Sequence, residues 1–175
     1  DKNIQYIAEE VLAETVEKFK AKSAMAIVMD PHTGAILAMA QAPVFNPNNL
    51  QNGDRANWRN RNVADRYEAG SVMKIFSVAA ALETGMVTPA TQYYCENGAY
   101  AVGRKIVRDT KKLGTLTLSD IVKVSSNIGV IKMSEEIGKD NLYAGLKNFG
   151  FGEKTGIECP GEAAGYLSAP NAWSR

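Results

Sequence analysis

The sequence contains one histidine, His32, and two cysteines, Cys95 and Cys159, among its 175 residues. Metal sites in proteins draw mainly on clusters of these side chains, so their scarcity excludes most such sites. A Ser-His-Asp catalytic triad is also disfavoured, because a suitable histidine is lacking. We expect neither a metal nor a cofactor, and any acyl-transfer chemistry must use a base other than imidazole.

The chain also lacks an excess of charge of either sign and lacks long apolar runs. Its 20 basic and 19 acidic side chains give a net charge of +1, which offers no electrostatic reason to expect nucleic-acid binding. The richest apolar stretches, residues 35–40 and 75–82, are far shorter than the run of about eighteen residues that spans a bilayer. We expect no membrane span and no export signal within these residues.

What the sequence does contain is a mixture of helix and strand patterns, of a size that suits one domain over residues 1–175. Helical spacing of apolar residues predicts a first helix over residues 4–19. Its expected buried face comprises Ile4, Ile7, Val11, Leu12, Val16 and Phe19. Two apolar stretches, residues 24–30 and 35–40, flank a turn and predict a β-hairpin. We predict a mixed α/β fold with the helix on one face of a sheet that further strands complete.

The rest of the chain alternates between irregular and helical patterns. Residues 43–66 have no sustained period and predict a long surface connection, with or without a functional role. A helix is predicted from Ser71 to Gly85, and another begins near Ser119, the expected N-cap. Short strands and turns are expected over residues 88–116, helices over 127–137 and 141–149, and no single regular element over 151–175.

Ser71-Val72-Met73-Lys74 is the sharpest chemical feature. Residues three apart share one face of a helix, which places the Ser71 hydroxyl and the Lys74 amine side by side. A neutral lysine can take the proton of a serine hydroxyl, and burial with nearby positive charge lowers a lysine pKa. The N–H groups of the helix start would stabilise the oxyanion formed when Ser71 attacks a carbonyl. Because this tetrad also arises by chance, it is a weak signal by itself.

Ser125-Ser126-Asn127 is the second feature, and it falls between two predicted helices. Serine and asparagine are common helix caps, so a purely structural role accounts for this segment. The functional alternative is that Ser125 relays a proton between Lys74 and a leaving group. Asn127 would then hold Lys74 through its side-chain oxygen and a substrate amide through its nitrogen. The pattern alone leaves both interpretations open.

The context of both features carries a family resemblance. The segment around the tetrad, RNVADRYEAGSVMK at residues 61–74, resembles the active-serine segment of class B penicillin-binding proteins. These are the monofunctional transpeptidases that cross-link bacterial peptidoglycan. Residues 30–39 resemble the first hairpin of that family, residues 125–129 its second motif and residues 150–162 a further segment. Residues 67–68 and 105–128 look most similar to division- and sporulation-type members.

The resemblance implies a penicillin-binding and serine β-lactamase-like transpeptidase fold that needs no cofactor. Carried onto this sequence, Ser71 is the nucleophile, Lys74 its base, Ser125 the proton shuttle and a substrate contact, and Asn127 a substrate-binding residue. The substrate would be the D-alanyl-D-alanine end of peptidoglycan stem peptides, and β-lactams would acylate Ser71. The expected location is the extracytoplasmic face of the bacterial cytoplasmic membrane, with cell-division proteins as potential partners.

Three departures from the family pattern stand out. Ala69 occupies a position that is usually proline and Val72 one that is usually threonine, although neither carries chemistry. The family's third motif is a Lys-Ser/Thr-Gly triplet on a strand beside the active site. We predict that residues 154–156, Lys-Thr-Gly, are instead part of a loop, because glycines and a proline surround them. Residues 1–175 would then be the N-terminal part of the transpeptidase domain, inactive alone and completed by a second polypeptide or a missing segment.

Other interpretations remain open. A protein of the same fold can be a β-lactamase, a D,D-carboxypeptidase or a β-lactam sensor domain. A module that docks partners of the cell-wall machinery without catalysis is an alternative from a different class. Cys95 and Cys159 either form a disulfide, which an extracytoplasmic location would permit, or remain free and partly buried. His32 is predicted to be an exposed turn residue.

Overall fold

The computed structural model describes residues 1–46, 48 and 55–173. The chain divides into two compact units, one of Asp1–Arg66 with Gly156–Ala163 and one of Tyr67–Thr155 with Ala164–Arg175. Within the described residues, α-helices and three antiparallel two-stranded sheets alternate along the chain. This confirms the mixed helix and strand composition that the sequence predicts.

The first unit begins with helix α1, Lys2–Phe19, which confirms the predicted helix. The Asp1 side chain caps it by accepting the N–H groups of Asn3 and Ile4. The predicted buried face is only partly right, because Ile7, Val11 and Phe19 are exposed whereas Ile4, Leu12 and Val16 are half-buried. The reason is a polar contact with the sheet: the Gln5 amide exchanges two hydrogen bonds with the Met39 backbone and turns that side of the helix inward.

Helix α1 packs on a hairpin of β1, Ala24–Met29, and β2, Ile36–Ala42, as expected. The strands pair antiparallel with Ala24 opposite Ala42. The connecting turn is held by Asp30, whose carboxylate accepts the His32 N–H at 2.9 Å and the Thr33 hydroxyl at 2.8 Å. Because these donors favour the ionised form, they lower the pKa of Asp30. His32 is exposed in the turn, which confirms its predicted role.

The connection over residues 43–66 contains short helical elements that the sequence pattern did not predict. A 3₁₀ turn spans Arg55–Asn57, and helix α2, Arg61–Ala64, follows it. The Asn60 side chain caps α2, and Val63 is buried. A helix of one turn is too short to produce a visible period, which explains the miss. Residues 47 and 49–54 of this predicted connection lie outside the described residues.

The second unit is built around four helices: α3, Met73–Glu83; α4, Leu118–Val124; α5, Asn127–Ile137; and α6, Lys139–Asn148. All four were predicted, with bounds shifted by at most two residues. Side chains from α3, α4 and α5 form most of the buried apolar core, which comprises Val78, Ala81, Val87, Tyr93, Leu118, Ile121, Met133 and Ile137. Helices α3 and α6 approach closely at Gly145, where a Cβ would lie 2.3 Å from that of Ala80.

Short strands fill the chain between α3 and α4, as predicted. Strand β3, Gln92–Tyr94, pairs with β6, Thr115–Thr117, and β4, Ala99–Val102, pairs with β5, Lys105–Arg108. The predicted N-cap of α4 is wrong: Thr117, not Ser119, caps the helix by accepting the Asp120 N–H at 3.1 Å. Ser119 already lies inside the helix, and its hydroxyl donates to the Pro89 carbonyl instead.

Beyond α6 the chain is irregular apart from a 3₁₀ turn at Pro170–Ala172, in agreement with the glycine-rich pattern. Residues 154–156 form no strand, and Gly156 has a φ of +80°. This confirms that Lys154-Thr155-Gly156 lies in a loop. Within the described part of the chain, every helix is too short or too polar to cross a membrane.

Candidate active site

Ser71 lies at the head of α3, in a 3₁₀ turn spanning Gly70–Val72 that runs directly into the helix. Gly70 has a φ of +60°, a left-handed conformation that glycine adopts without strain. The Ser71 side chain is exposed, and no side chain caps the turn. The predicted helix start is therefore correct in position, but its first turn is 3₁₀ rather than α. The hydroxyl is open to a substrate from outside.

Lys74 lies one turn further along, in the first turn of α3, and is half-buried. Its ammonium Nζ donates a hydrogen bond of 2.6 Å to the Ser125 carbonyl and one of 2.9 Å to the Ser125 Oγ. The two residues are 51 positions apart in sequence. The fold of the second unit thus brings the predicted base into direct contact with the predicted proton shuttle.

The environment of Lys74 favours loss of its proton. Burial lowers the pKa of the amine below its usual value, and the negative charge of Asp109 opposes this by a smaller amount. The sequence predicted a lowered pKa through burial and nearby positive charge. Burial acts as expected, but the nearby charge is negative, so it stabilises the ammonium form instead.

The two roles that the sequence left open for this tripeptide, a helix cap and a contact with Lys74, belong to different serines. Ser125 ends α4 in a left-handed conformation with a φ of +57°, and its side chain meets Lys74. Ser126 is the N-cap of α5: it is 1% exposed, and its hydroxyl accepts the Gly129 N–H at 2.9 Å. The helix cap and the lysine contact therefore coexist in one tripeptide, on neighbouring serines.

Asn127, the first residue of α5, is placed differently from the sequence expectation. Its amide nitrogen donates a hydrogen bond of 2.9 Å to the carbonyl of Arg108 at the end of β5. Among the hydrogen bonds of the described residues, none joins Asn127 to Lys74. One hydrogen of the amide nitrogen is bonded to the Arg108 carbonyl, so here the side chain ties α5 to β5, and the expected substrate contact of Asn127 stays a prediction.

Asp109 is a residue that the sequence reasoning missed. Its carboxylate accepts the Ser126 hydroxyl at 2.7 Å and the N–H groups of Asn127 at 2.6 Å and Ile128 at 3.2 Å. A lone aspartate in a stretch of short strands, 17 positions before the serine that it contacts, carries no periodic or motif signal. Only the chain's path through β5 brings it to the start of α5.

The two cysteines and the possibility of a metal site were the remaining questions about this part of the chain. Both cysteines carry free thiols, Cys95 fully buried and Cys159 half-buried. Of the two alternatives, a disulfide and free thiols, the structure therefore has the free thiols. Cys95 lies beneath Ser126, with 3.5 Å between its Sγ and the serine Oγ. No group of three or more histidine, cysteine or acidic side chains in the described residues is arranged to hold a metal ion.

Comparison with known families decides the relationship of the chain. The penicillin binding protein transpeptidase domain matches residues 24–175, which include Ser71, Lys74 and the Ser125–Asn127 tripeptide. The chain belongs to this transpeptidase family. The resemblance in the segments around the two motifs is thereby confirmed.

Individual relatives support the same assignment. The probable peptidoglycan D,D-transpeptidase PbpC of Pseudomonas aeruginosa is 37% identical over 174 residues, covering 99% of this chain and 31% of that protein. Stage V sporulation protein D of Bacillus subtilis is 35% identical over 170 residues, covering 95% of this chain and 26% of that protein. The latter agrees with the predicted similarity to sporulation-type transpeptidases.

The predicted transpeptidase fold is also confirmed. The transpeptidase domain of penicillin-binding protein 3 from Burkholderia pseudomallei superposes with a TM-score of 0.86 at 33% identity, covering 99% of this chain and 48% of that one. The chain thus spans about half the length of this solved structure and about a third of the length of PbpC.

Proposed function

We propose that these residues carry the nucleophile and the base of a serine D,D-transpeptidase that cross-links peptidoglycan stem peptides. The observation that carries the proposal is the pair of hydrogen bonds from Lys74 Nζ to Ser125, one turn after the exposed Ser71. A half-buried amine with a lowered pKa, bonded to the Ser125 hydroxyl and one turn after Ser71, is suited to moving protons in acyl transfer. The names of the relatives, peptidoglycan D,D-transpeptidases, support peptidoglycan as the substrate class.

The first half of the proposed reaction forms an acyl-enzyme. Neutral Lys74 takes the proton of Ser71 as the serine oxygen attacks the carbonyl between the two terminal D-alanines. The resulting oxyanion is stabilised by backbone N–H groups of the uncapped turn at Gly70–Val72. The C–N bond then breaks, and the proton passes from Lys74 through Ser125 to the leaving D-alanine amine.

The second half transfers the acyl group. An amine of a neighbouring stem peptide attacks the ester on Ser71, gives its proton to Lys74 and forms the cross-link. Lys74 returns this proton to the serine oxygen as the oxygen leaves, so the enzyme returns to its starting state. A β-lactam ring resembles the D-alanyl-D-alanine end and acylates Ser71 in the same way, and we expect slow release because no deacylating base is apparent among the described residues.

Under this proposal, the remaining parts of the machinery come from outside residues 1–175. Since Lys154-Thr155-Gly156 lies in a loop, we propose that the Lys-Ser/Thr-Gly strand is contributed by a further segment or a second polypeptide. That segment would also add strands to the hairpin of β1 and β2. The site of action is the extracytoplasmic face of the bacterial cytoplasmic membrane, where peptidoglycan is assembled, and division proteins are the expected partners.

Mass spectrometry after penicillin treatment of the complete protein tests this function. We expect one covalent penicillin adduct on the peptide that contains Ser71, and none in Ser71→Ala. The matched control is Ser119→Ala, which removes an exposed hydroxyl from α4 and should leave labelling unchanged. A wild-type protein without an adduct, or labelling that survives Ser71→Ala, contradicts the proposal.

Assays of the complete protein with penicillin and with stem peptides distinguish the alternative functions. Rapid turnover of penicillin in place of a stable adduct indicates a β-lactamase. Release of D-alanine from a stem peptide without cross-linking to an added amine indicates a D,D-carboxypeptidase. A stable adduct on a protein that neither cross-links stem peptides nor releases D-alanine from them indicates a sensor domain. A Ser71→Ala variant that keeps all measurable function indicates a docking module.

A further inference from the structure

The strongest concentration of charge in the chain begins at the turn between β4 and β5. Residues 104–112, which we call the basic segment, carry five basic side chains: Arg104, Lys105, Arg108, Lys111 and Lys112. With one acidic residue, Asp109, the basic segment has a net charge of +4 in a chain whose net charge is +1. All five basic residues are exposed, and none of them forms an ion pair with another described residue. Their charge is available to an outside partner.

The hairpin of β4 and β5 holds one face of its strands against α5. Tyr100 and Val107 pair across the hairpin on this face, and both are half-buried. The Tyr100 hydroxyl donates a hydrogen bond of 2.9 Å to Glu135, and Lys132 Nζ lies 4.8 Å from the centre of the Tyr100 ring. Because side chains alternate across a strand, the opposite face carries the exposed residues Ala99, Ala101, Ile106 and Arg108. The hairpin is therefore fixed by one face and open on the other.

The basic segment adjoins the candidate active site. The carbonyl of Arg108 accepts the Asn127 side chain at 2.9 Å, and Asn127 lies two residues after Ser125, the partner of Lys74. Arg104, at the hairpin turn, lies about 13 Å further along the chain from Arg108, since a strand rises about 3.3 Å per residue. A ligand bound along the basic segment would therefore extend outward from the proposed site of acyl transfer.

The chemistry of this surface favours an extended anionic ligand. A stem peptide that ends in D-alanyl-D-alanine carries a terminal carboxylate, so a peptidoglycan strand with several uncross-linked stems is a polyanion. Arginine and lysine bind carboxylates through charge-assisted hydrogen bonds. A membrane surface fits less well, because Ile106 is the one large apolar residue exposed in the basic segment, all of which the structure describes. Insertion into a membrane interface requires a larger apolar area.

We propose that the basic segment binds an uncross-linked peptidoglycan strand through the carboxylates of its stem peptides and holds that strand beside Ser71. The inference rests on the proposed function, because it takes peptidoglycan as the substrate. It adds a binding surface that lies outside the reacting groups. The basic segment supplies affinity for the strand, and Ser71, Lys74 and Ser125 supply the chemistry.

Binding of a soluble, uncross-linked peptidoglycan strand to the complete protein tests the proposal. The variants are Arg104→Gln with Lys105→Gln, Lys111→Gln with Lys112→Gln, and the combination of all four substitutions. At low salt we expect the quadruple variant to bind about 10-fold more weakly than the wild type and each double variant about 3-fold more weakly, because each exposed ion pair contributes little by itself. Isothermal titration calorimetry measures the dissociation constants.

The matched control is Lys22→Gln with Lys139→Gln. Both lysines are exposed, and neither forms an ion pair with another described residue. This variant loses the same charge as each double variant but leaves the basic segment intact. We expect it to bind the strand as tightly as the wild type.

Salt and chemical blocking of the strand identify the interaction as electrostatic. The difference between the wild type and the quadruple variant should shrink as salt rises from about 0.05 M to about 0.5 M, because the ions screen exposed charges. A strand whose carboxylates are converted to amides should bind both proteins equally. Since each comparison is between two proteins with the same active site, contacts at Ser71 do not affect the difference.

Cross-linking kinetics separate this role from general damage to the fold. The quadruple variant should raise KM for the strand and leave kcat unchanged, because the substitutions remove binding that is equal in the ground state and the transition state. Acylation of Ser71 by penicillin should keep its wild-type rate, because the reacting groups are unchanged.

Wild-type affinity in the quadruple variant, a difference that amidation of the strand leaves in place, or equal weakening in the control variant would each overturn the proposal. Vesicles that contain phosphatidylglycerol provide a further test. Vesicle binding that is lost in the quadruple variant while strand binding is kept assigns the basic segment to a membrane and also overturns it. Should the quadruple variant fail to fold, the two double variants decide. A wild-type protein that penicillin does not acylate refutes the proposed function instead, so the two failures are distinct.

Discussion

Replacing Ser126 with alanine should destabilise the second unit far more than an ordinary serine truncation. The side chain is 1% exposed and makes two hydrogen bonds at the start of α5. Its oxygen accepts the Gly129 N–H at 2.9 Å, and its proton is donated to the Asp109 carboxylate at 2.7 Å. Alanine removes both interactions and leaves the Gly129 N–H buried without its acceptor.

The two losses can be estimated separately. Loss of an N-cap costs about 1 kcal/mol. Loss of a hydrogen bond to an ionised group costs about 2 kcal/mol. The expected decrease in the free energy of unfolding is therefore about 3 kcal/mol, which corresponds to a fall in Tm of roughly 6–12 °C for a chain of this length. Urea unfolding followed by circular dichroism measures the decrease directly.

Ser134→Ala is the matched control on the same helix. The Ser134 hydroxyl donates only to the Val130 carbonyl one turn earlier, so its loss should change the free energy of unfolding by less than about 0.5 kcal/mol. Ser126→Gly should fall between the two alanine variants, because glycine is a nearly adequate N-cap but cannot bind Asp109. If Ser126→Ala costs no more than Ser134→Ala, the described network at the start of α5 does not stabilise the fold.

Three further predictions test the packing and the caps. Thr117→Ala should cost about 1 kcal/mol in urea unfolding and Ser119→Ala close to nothing, because only Thr117 caps α4; equal costs would contradict this. Gly145→Ala should cost about 1–3 kcal/mol by forcing α6 away from α3, whereas Gly114→Ala, with open space at its Cβ, should not destabilise the protein. Finally, NMR should show Asp30 titrating below its usual pKa of 3.8. Its stabilising turn bonds are then fully present above that pH and are lost as the pH falls through the lowered value; a midpoint at or above 3.8 contradicts the described turn.

Most regular elements of the fold were predictable because their signals are local. The first helix, the hairpin and the helices over residues 127–137 and 141–149 each follow from the spacing of apolar residues and a nearby turn. The errors have local causes too. Gln5 reaches the Met39 backbone and rotates the buried side of α1, and α2 is too short to produce a period.

The candidate site was predictable only in part. Ser71 and Lys74 share one helical turn, so their spacing alone placed them together on the head of α3. The pairing of Lys74 with Ser125, 51 residues away, was an open alternative from the tripeptide that the family resemblance then supported. Asn127 was expected to hold Lys74 through its side-chain oxygen, but the side-chain hydrogen bond that the structure shows runs from its amide nitrogen to the carbonyl of Arg108.

The amino-acid sequence by itself determined the longer helices, the hairpin, the serine and lysine on one turn and the family to which the chain belongs. Those features depend on residue spacings of a few positions, which backbone geometry converts directly into shared faces. The tertiary structure alone decided that Asp109 binds the start of α5, that Ser126 rather than Ser125 is the cap, and that the charge near Lys74 is negative. Such contacts depend on where β5 ends relative to α5, and no local pattern encodes the meeting of two distant segments.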